Sequence, residues 1–400
     1  MKARVRKVSE EEIQAQLRRI KRQGPLRTAK TDAATDEWVN SPAATKKEDW
    51  TEHDESEPPY KKLKPWNEML QGGELDQITL EPGSFLSDED IRTKYLPYRK
   101  IKGKRKRIHR YYDHPERLTT EITRNTIFWY PAGKYHLDRP SAPHKGEIAG
   151  IYLRQVLSAD AQRKALHGLE QMNFPPPHRA ETAPAIRRQR GLTKPGELLF
   201  GYTDFGTLEQ TLTSREKDRI LQFSPLEDLL KEMDGCFART LPFYYQLQGS
   251  PKSLEARQAE KQKADALPEF GGIQAELRHF LTSFSNITLL RSCPSAIHKD
   301  QGNARKDQNS FTCLTSVGQR KKNGEIAFSG GTFSLIEYGI KIPVKPGDVL
   351  IAQTTREWHY NVTPVKGVKY SIVCYYRRRL ADPNLIPGKW MSGSTDTPEL

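Results

Sequence analysis

The sequence predicts an α+β protein whose last quarter folds as a jelly roll, a double-stranded β-helix, with flanking helices and a disordered basic N-terminal region. From about residue 284, short segments rich in β-branched and aromatic residues alternate with Gly and Pro turns, which is typical of a sandwich or barrel. Segments with helical periodicity precede them, after a polar, charged stretch that cannot build a core. A chain of 400 residues is long enough for one or two domains.

The predicted strands surround a segment that contains His298-Lys299-Asp300. Strand-like segments lie at residues 286–293, 310–317, 332–335, 338–344, 348–352, 359–363 and 368–376. Pro346-Gly347 has the residue pair wanted at the centre of a type II turn. A jelly roll would hold His298 and Asp300 at one strand end and bring in His359 from a strand distant in sequence.

Two histidines and one carboxylate are the ligand set of the non-haem iron oxygenases, because they occupy one face of iron(II) and leave the other open. With 10 histidines, a His-x-Asp triplet is expected about once by chance, and a second one occurs at His136 and Asp138. The earlier triplet leads into a proline-rich loop, whereas the later one lies between strands, where residues i and i+2 point the same way. We therefore predict an iron(II) site at His298, Asp300 and His359.

The last predicted strand carries polar residues on one face. Residues of one parity share a face of a strand; here they are Lys369, Ser371, Val373, Tyr375 and Arg377. This face offers a cation and a hydroxyl to a carboxylate.

With the predicted metal ligands and the final strand described above, the segment from residue 285 to residue 380 resembles the TET/JBP dioxygenases. The resemblance is carried by residues 298–303, by Gly330-Gly331-Thr332-Phe333, by Gly347-Asp348-Val349, by residues 357–364 around His359 and by residues 370–377. A looser likeness occurs at residues 200–204 and 241–245.

The resemblance implies an enzyme that uses iron(II) and 2-oxoglutarate to oxidise the methyl group of a DNA base flipped into its pocket. 5-Methylcytosine, converted to 5-hydroxymethylcytosine and further, is the expected substrate; thymine hydroxylation and N6-methyladenine demethylation stay open. Lys369 and Ser371, with Arg377 as an alternative anchor, are expected to hold the far carboxylate of 2-oxoglutarate. Asn303 is expected to hydrogen-bond the base, with a polar loop residue as the plain alternative.

The chain departs from the family in two ways. Lys369 stands where the family usually has arginine, so the bidentate hydrogen bonding of a guanidinium to a carboxylate is lost. The four cysteines are Cys236, Cys293, Cys313 and Cys374, without Cys-x-x-Cys spacing, so the likeness is to compact members that lack a cysteine-rich zinc region.

A net charge of +14 favours a polyanionic partner. The densest basic run lies at residues 100–110 among tyrosines, and phosphate contacts together with stacking on bases predict DNA binding there. The predicted contacts are Lys102, Lys104, Arg105, Lys106, Arg107 and Arg110; an import signal or a solvated surface is the alternative. Four scattered cysteines, with no signal peptide and no membrane-length apolar run, point to the cytoplasm or nucleus. Of these we expect the nucleus, and we expect the protein to be a monomer.

The expected organisation has five parts. They are a mostly disordered region at 1–83, a basic DNA-contacting segment at 84–121, a helical and mixed support at 122–283, the jelly roll at 284–380 and a tail at 381–400. Ser158 is predicted to cap a helix that runs through Leu166. Ser224 and Pro225 are predicted to begin a second helix with a buried apolar stripe.

Other functions remain open at this stage. An oxygenase acting on N-methylated bases, as the AlkB enzymes do, shares the final strand but not the double glycine. A catalytically inactive DNA-binding module would keep the barrel as a scaffold, although the complete triad argues against it. A protein hydroxylase is disfavoured by the basic charge.

Overall fold

The computed structural model describes residues 57–101, 104–107, 110, 112, 114–131, 147–176, 195–201, 224–248, 284, 286–300, 311–321, 323–362 and 364–375. Several residues singled out above lie outside these ranges: Lys102, His136, Asp138, Asn303 and Arg377. So do residues 1–56 and the tail at 381–400. Within the described ranges, no helix is both long and apolar enough to cross a membrane.

The strands of the described residues are, in chain order, β1 (Asp76–Thr79), β2 (Tyr98–Ile101), β3 (Lys104–Arg107), β4 (Thr120–Glu121), β5 (Thr126–Trp129), β6 (Ile148–Leu153), β7 (Gly196–Gly201), β8 (Asn286–Arg291), β9 (Ser295–His298), β10 (Thr312–Val317), β11 (Ser329–Gly330), β12 (Phe333–Leu335), β13 (Ile340–Ile342), β14 (Val349–Ala352), β15 (His359–Asn361), β16 (Pro364–Lys366) and β17 (Tyr370–Tyr375). The α-helices are α1 (Trp66–Gln71), α2 (Asp88–Asp90), α3 (Ala159–Gln171), α4 (Glu227–Thr240) and α5 (Pro242–Gln248). Short 3-10 turns occur at Pro59–Lys62, Pro115–Arg117, Ser224–Leu226 and Ile336–Tyr338, and a π-helical turn at Ile91–Tyr95.

Two sheets form the jelly roll. The larger has the order β1-β5-β6-β14-β10-β17-β8-β7, and the smaller has the order β4-β13-β12-β15-β9. From β8 onward the chain alternates between them, with β8, β10, β14 and β17 in the larger sheet and β9, β12, β13 and β15 in the smaller. This alternation is that of a double-stranded β-helix, and the predicted α+β fold class is confirmed.

Strand parity divides the core into two layers. Leu314 and Leu350 of the larger sheet point between the sheets, where they pack with Phe333 of the smaller one. Their neighbours Cys313 and Ile351 point the other way and pack beneath α3 and α4. Because both faces of β10 and β14 are covered, every residue of these strands is buried; β14 is apolar throughout, whereas β10 also buries Thr312, Thr315 and Ser316.

The helices on the outer face begin in different ways. Ser158 is the N-cap of α3, as predicted, and its hydroxyl accepts a hydrogen bond from the backbone N–H of Ala161 at 3.2 Å. The prediction that Ser224 caps the second helix is wrong, since Ser224–Leu226 form a 3-10 turn and Leu226 precedes α4 without a side-chain cap bond. The predicted apolar stripe is buried as expected at Leu226, Leu229, Leu230, Met233 and Phe237.

The expected disorder of residues 1–83 is wrong for residues 57–83. These residues form α1 and β1, and β1 joins the edge of the larger sheet by pairing in parallel with β5. Met69, Leu75 and Leu80 are buried, although polar residues separate them in the sequence. Their partners lie far along the chain, so local composition underestimated the core that this segment contributes.

Several described residues between Phe85 and Leu118 also pack against the fold, so this stretch is not only a basic arm. Ile91, Leu96, Tyr112 and Leu118 are buried in a cluster that covers the outer face of the smaller sheet. The strand side of this cluster includes Ile297, Trp358 and Tyr360, which are sequence neighbours of His298 and His359. The segment therefore lies behind the predicted iron ligands.

Candidate metal centre

The two histidines meet because β9 and β15 are antiparallel neighbours. His298 is the last residue of β9 and His359 is the first of β15, and the two occupy directly opposed positions in the register. Their ring centroids lie 4.3 Å apart, and both side chains are buried. The fold thus brings together two side chains that the sequence separates widely.

Asp300 completes the set two residues after His298. Its Oδ1 lies 3.6 Å from Nε2 of His298 and 4.0 Å from Nε2 of His359. One ligand atom from each of the three residues falls within 4.8 Å of the other two. The described residues contain no other group of three or more such side chains that could hold a metal ion.

Hydrogen bonds select which nitrogen of each imidazole faces the carboxylate. Nδ1–H of His298 donates to the carbonyl of Ala296 at 2.8 Å, and that of His359 to the carbonyl of Glu357 at 3.0 Å. A ring whose Nδ1–H is engaged in this way presents the Nε2 lone pair, as metal-binding histidines do. Phe333 stacks on His359 with centroids 5.2 Å apart and further restricts that ring.

The protonation states also suit a cation. Burial, followed by the neighbouring His298, lowers the pKa of His359 to about 4, so this ring is neutral at physiological pH. Burial alone would raise the pKa of Asp300, but the neighbouring imidazoles of His298 and His359 hold that pKa below its usual range. One anionic and two imidazole donors fit iron(II), which leaves open positions when it has three protein ligands on one face.

The loop between β14 and β15 supports Asp300. The backbone N–H of Asp300 donates to the carbonyl of Thr354 at 3.1 Å. The Thr354 hydroxyl also lies 2.6 Å from that of Thr312, which begins β10. Both threonines are buried. No local sequence pattern distinguishes Thr354, and sequence reasoning missed it.

Lys369 lies just before β17, and only 6% of its surface is exposed. Its ammonium donates a hydrogen bond to the carbonyl of Gly331 in the double glycine. Burial lowers the pKa of Lys369 to about 8, and the charge of Asp348 partly opposes this shift. Ser371 follows on the same strand face and pairs in register with Ser316. A buried ammonium and a nearby hydroxyl suit a carboxylate.

The Asp348 carboxylate organises the predicted type II turn. The backbone N–H of Asp348 closes the turn on the carbonyl of Lys345 at 2.9 Å, with Gly347 at φ +94°. Asp348 itself is fully buried, and its Oδ2 accepts from the Tyr152 hydroxyl at 2.5 Å and from the backbone N–H of Lys345 at 2.9 Å. Its function is therefore structural as well as electrostatic.

A second cluster, which sequence reasoning also missed, supports the two ligand segments from outside. Asp88 accepts a hydrogen bond from Nε1 of Trp358 at 2.6 Å and another from Arg92. The ammonium of Lys299 lies 4.7 Å from the centre of the Trp358 ring. Since Lys299 separates His298 from Asp300 and Trp358 precedes His359, this cluster joins the two ligand segments.

The basic run forms a two-stranded ribbon. In the antiparallel pair of β2 and β3, Arg99 is opposite Lys106 and Lys100 is opposite Arg105. At the base of the ribbon, the backbone N–H of Arg110 donates to the carbonyl of Tyr95 at 2.7 Å. Tyr95 packs against the cluster behind the smaller sheet, so this bond links the residue that follows the ribbon to the support of the metal centre.

Residues 199–378 match the family model Tet_JBP, described as the oxygenase domain of the 2OGFeDO superfamily. Among solved structures, NgTET1 in complex with 5mC DNA is similar over 65% of this chain and 79% of its own, at 13% identity and a TM-score of 0.37. A Trichoplax adhaerens prolyl hydroxylase in complex with a hypoxia inducible factor oxygen degradation domain peptide fragment is similar over 58% of this chain and 86% of its own, at 10% identity and a TM-score of 0.30. A prolyl-4-hydroxylase from Pseudomonas putida covers 57% of this chain and 91% of its own, at 9% identity and a TM-score of 0.25. No curated protein sequence matches the chain.

Proposed function

Residues 199–378 of this chain form an oxygenase domain of the Tet_JBP family, which uses iron(II) and 2-oxoglutarate, and on that premise we propose that the protein oxidises the methyl group of a modified base in DNA. The preferred substrate is 5-methylcytosine, and the product is 5-hydroxymethylcytosine or a further oxidised base. The observation that carries the proposal is the buried triad of His298, Asp300 and His359 within this domain.

His298, Asp300 and His359 would hold the iron through Nε2, a carboxylate oxygen and Nε2. Iron(II) with 2-oxoglutarate and oxygen supplies, when bound, the oxidising chemistry that hydroxylates a methyl group. The protein keeps the His359 ring neutral, orients both rings and excludes bulk water by burying them. Phe333 and the carbonyls of Ala296 and Glu357 supply this orientation.

Lys369 and Ser371 are the proposed anchors of the far carboxylate of 2-oxoglutarate. Lys369 is buried, and its ammonium already has a backbone oxygen as its partner in this structure. The bond to the Gly331 carbonyl already has a charged donor, and a carboxylate in place of the carbonyl would add a charged acceptor and form an ion pair. Arg377, outside the described residues, is the proposed alternative anchor.

A DNA substrate is supported by the ribbon of β2 and β3. Like charges directly opposite one another destabilise a strand pair, yet Arg99 faces Lys106 and Lys100 faces Arg105 in the register. A polyanion would relieve this repulsion, and the major groove of DNA is wide enough for a two-stranded ribbon. We assign phosphate contacts to Lys104, Arg105, Lys106 and Arg107 of the ribbon and to the exposed Arg110. A DNA substrate in turn supports a nuclear location.

Access to the methyl group requires the base to leave the helical stack, at a cost of roughly a few kcal/mol. Asn303 follows the metal carboxylate by three positions and is the proposed hydrogen-bonding partner of the flipped base. Its amide presents both a donor and an acceptor, as recognition of a Watson–Crick edge requires.

Mass spectrometry of nucleosides tests the proposal. Duplexes that contain 5-methylcytosine, N6-methyladenine or only unmodified bases are incubated with the protein, iron(II) and 2-oxoglutarate, and His298→Ala serves as the control. We expect 5-hydroxymethylcytosine from the first duplex alone. Hydroxymethyluracil from thymine, or loss of N6-methyladenine, would reassign the base, and succinate without any altered nucleoside would reject DNA as the substrate.

A further inference from the structure

We propose that Phe328 is a positioning residue for the co-substrate anchor Lys369, and that its ring covers the ammonium and favours 2-oxo acids that carry a second carboxylate. The proposal rests on the proposed role of Lys369 and extends it to a residue that the sequence analysis did not single out. Nζ of Lys369 lies 5.9 Å from the centre of the Phe328 ring. An aromatic face attracts an ammonium at this distance, because the ring quadrupole is negative there.

Two glycines leave room for Phe328 beside the anchor. A Cβ atom at Gly318, directly after β10, would lie 2.5 Å from the Phe328 ring. A Cβ atom at Gly367 would lie 2.4 Å from the carbonyl oxygen of Ala327 and 2.9 Å from Cα of Phe328. A side chain at either position would therefore push the segment around Phe328 away, and glycine permits this close approach.

Backbone hydrogen bonds hold the segment that carries Phe328. In the hairpin between β10 and β11, the backbone N–H of Lys321 donates to the carbonyl of Glu325 at 2.7 Å, and that of Ala327 to the carbonyl of Gln319 at 2.8 Å. β11 follows Phe328 directly and pairs with β16. The chain is thus held on both sides of Phe328, which keeps the ring next to the anchor.

The Lys369 ammonium lies between this ring and the double glycine. It donates to the carbonyl of Gly331, and only 6% of the Lys369 surface is exposed. A carboxylate that took the place of this carbonyl would leave Phe328 as the cover of the ion pair. Opposite charges attract more strongly where water is excluded, so the ring should strengthen the binding of 2-oxoglutarate. A 2-oxo acid without a second carboxylate forms no such pair and gains nothing from the ring.

Equilibrium binding of two 2-oxo acids tests the proposal without turnover. Calorimetric titration of the manganese(II)-loaded protein compares 2-oxoglutarate with 2-oxobutyrate, which offers the metal the same 2-oxo acid group but lacks the second carboxylate. Phe328→Leu removes the aromatic face and keeps an apolar side chain, whereas Phe328→Tyr keeps the face. Gly318→Ala displaces the ring without changing Phe328. Phe243→Leu is the matched control, since Phe243 lies on α5 and is 58% exposed.

We expect Phe328→Leu and Gly318→Ala each to raise the dissociation constant for 2-oxoglutarate by roughly 5- to 30-fold, the range for loss of a desolvated cation–π contact. The constant for 2-oxobutyrate should stay unchanged. Phe328→Tyr and Phe243→Leu should bind both acids as the wild type does. Wild-type affinity for 2-oxoglutarate in Phe328→Leu, or an equal loss for both acids, would overturn the proposal. If Phe328→Leu does not fold, Gly318→Ala decides by the same criteria.

Lys369→Ala separates this proposal from the assignment of the anchor. If this variant loses the preference for 2-oxoglutarate over 2-oxobutyrate while Phe328→Leu keeps it, only the role of Phe328 is wrong. If Lys369→Ala keeps the preference, Lys369 is not the anchor and the role of Phe328 is rejected with it. Because no DNA is present, the result is independent of the proposed base.

Discussion

His298 and His359 face each other across the antiparallel pair of β9 and β15, with ring centroids 4.3 Å apart. Each Nδ1–H is held by a carbonyl two residues earlier in the same chain segment. The two rings are therefore oriented by identical local hydrogen bonds before any metal binds. Because the rings are already oriented, the effect of replacing one ligand can be attributed to the loss of that ligand.

Alanine at His298, Asp300 or His359 should abolish 2-oxoglutarate turnover, because a site with two protein ligands holds iron too loosely. Succinate release and cobalt(II) titration of each variant measure the effect. Turnover equal to wild type in any of the three would remove that residue from the site. His136→Ala and Asp138→Ala are the controls, and loss of activity in these variants would point to the earlier triplet.

Lys369→Ala should raise the apparent Michaelis constant for 2-oxoglutarate and leave the affinity for DNA nearly unchanged, because the charge acts on the co-substrate. Charge-assisted hydrogen bonds contribute about 1.5–3 kcal/mol, which corresponds to a change of roughly 10- to 150-fold. Succinate formation at varied 2-oxoglutarate provides the measurement. An unchanged constant here, together with a large rise in Arg377→Ala, would transfer the role to Arg377.

The affinity for 2-oxoglutarate should fall as the pH rises through about 8, the lowered pKa of Lys369. Below that pH the ammonium is charged and pairs with a carboxylate; above it the neutral amine cannot, and the loss approaches about tenfold per pH unit. Lys369→Arg should abolish this dependence, because a guanidinium stays protonated. Titration of the manganese(II)-loaded proteins from pH 7 to 9 compares the two, and parallel curves would exclude Lys369 as the titrating anchor.

Replacement of Lys104, Arg105, Lys106 and Arg107 by alanine should weaken duplex binding and reduce the slope of its salt dependence by up to about 3 to 4, if each residue neutralises one phosphate. DNA-independent succinate release should persist, since β2 and β3 lie outside the two sheets of the jelly roll. Binding titrations at several salt concentrations provide the measurement. An unchanged slope would favour the alternative that the basic run is an import signal or a solvated surface.

Tyr152→Phe should lower the free energy of unfolding by about 1–3 kcal/mol, because it removes a donor from the buried carboxylate of Asp348. The main effect should be on stability, since the turn at Asp348 leads into β14 and contains no metal ligand. Denaturant unfolding measures it. Tyr95→Phe is the control, because no hydrogen bond to the Tyr95 hydroxyl is seen among the described residues, and an equal loss there would contradict the role of the carboxylate.

Much of the jelly roll was predictable from local patterns. The turn at Pro346-Gly347, the apolar run of β14 and the cap at Ser158 depend on residues close in sequence, whose conformational preferences can be read directly. The segment at 57–83 could not be predicted in this way. Its buried side chains have partners far along the chain, and β1 pairs with β5.

The sequence by itself determined the chemistry available at the site: two imidazoles, a carboxylate two residues from one of them, and a lysine and a serine of equal parity near the final strand. Only the tertiary structure decided that His298 opposes His359, that Thr354 bonds Asp300 and that Asp88 holds Trp358. Side-chain type and strand parity are local properties, because they depend on the backbone period. Hydrogen bonds between segments arise only when sheet pairing brings distant strands into register, and no local pattern encodes that register.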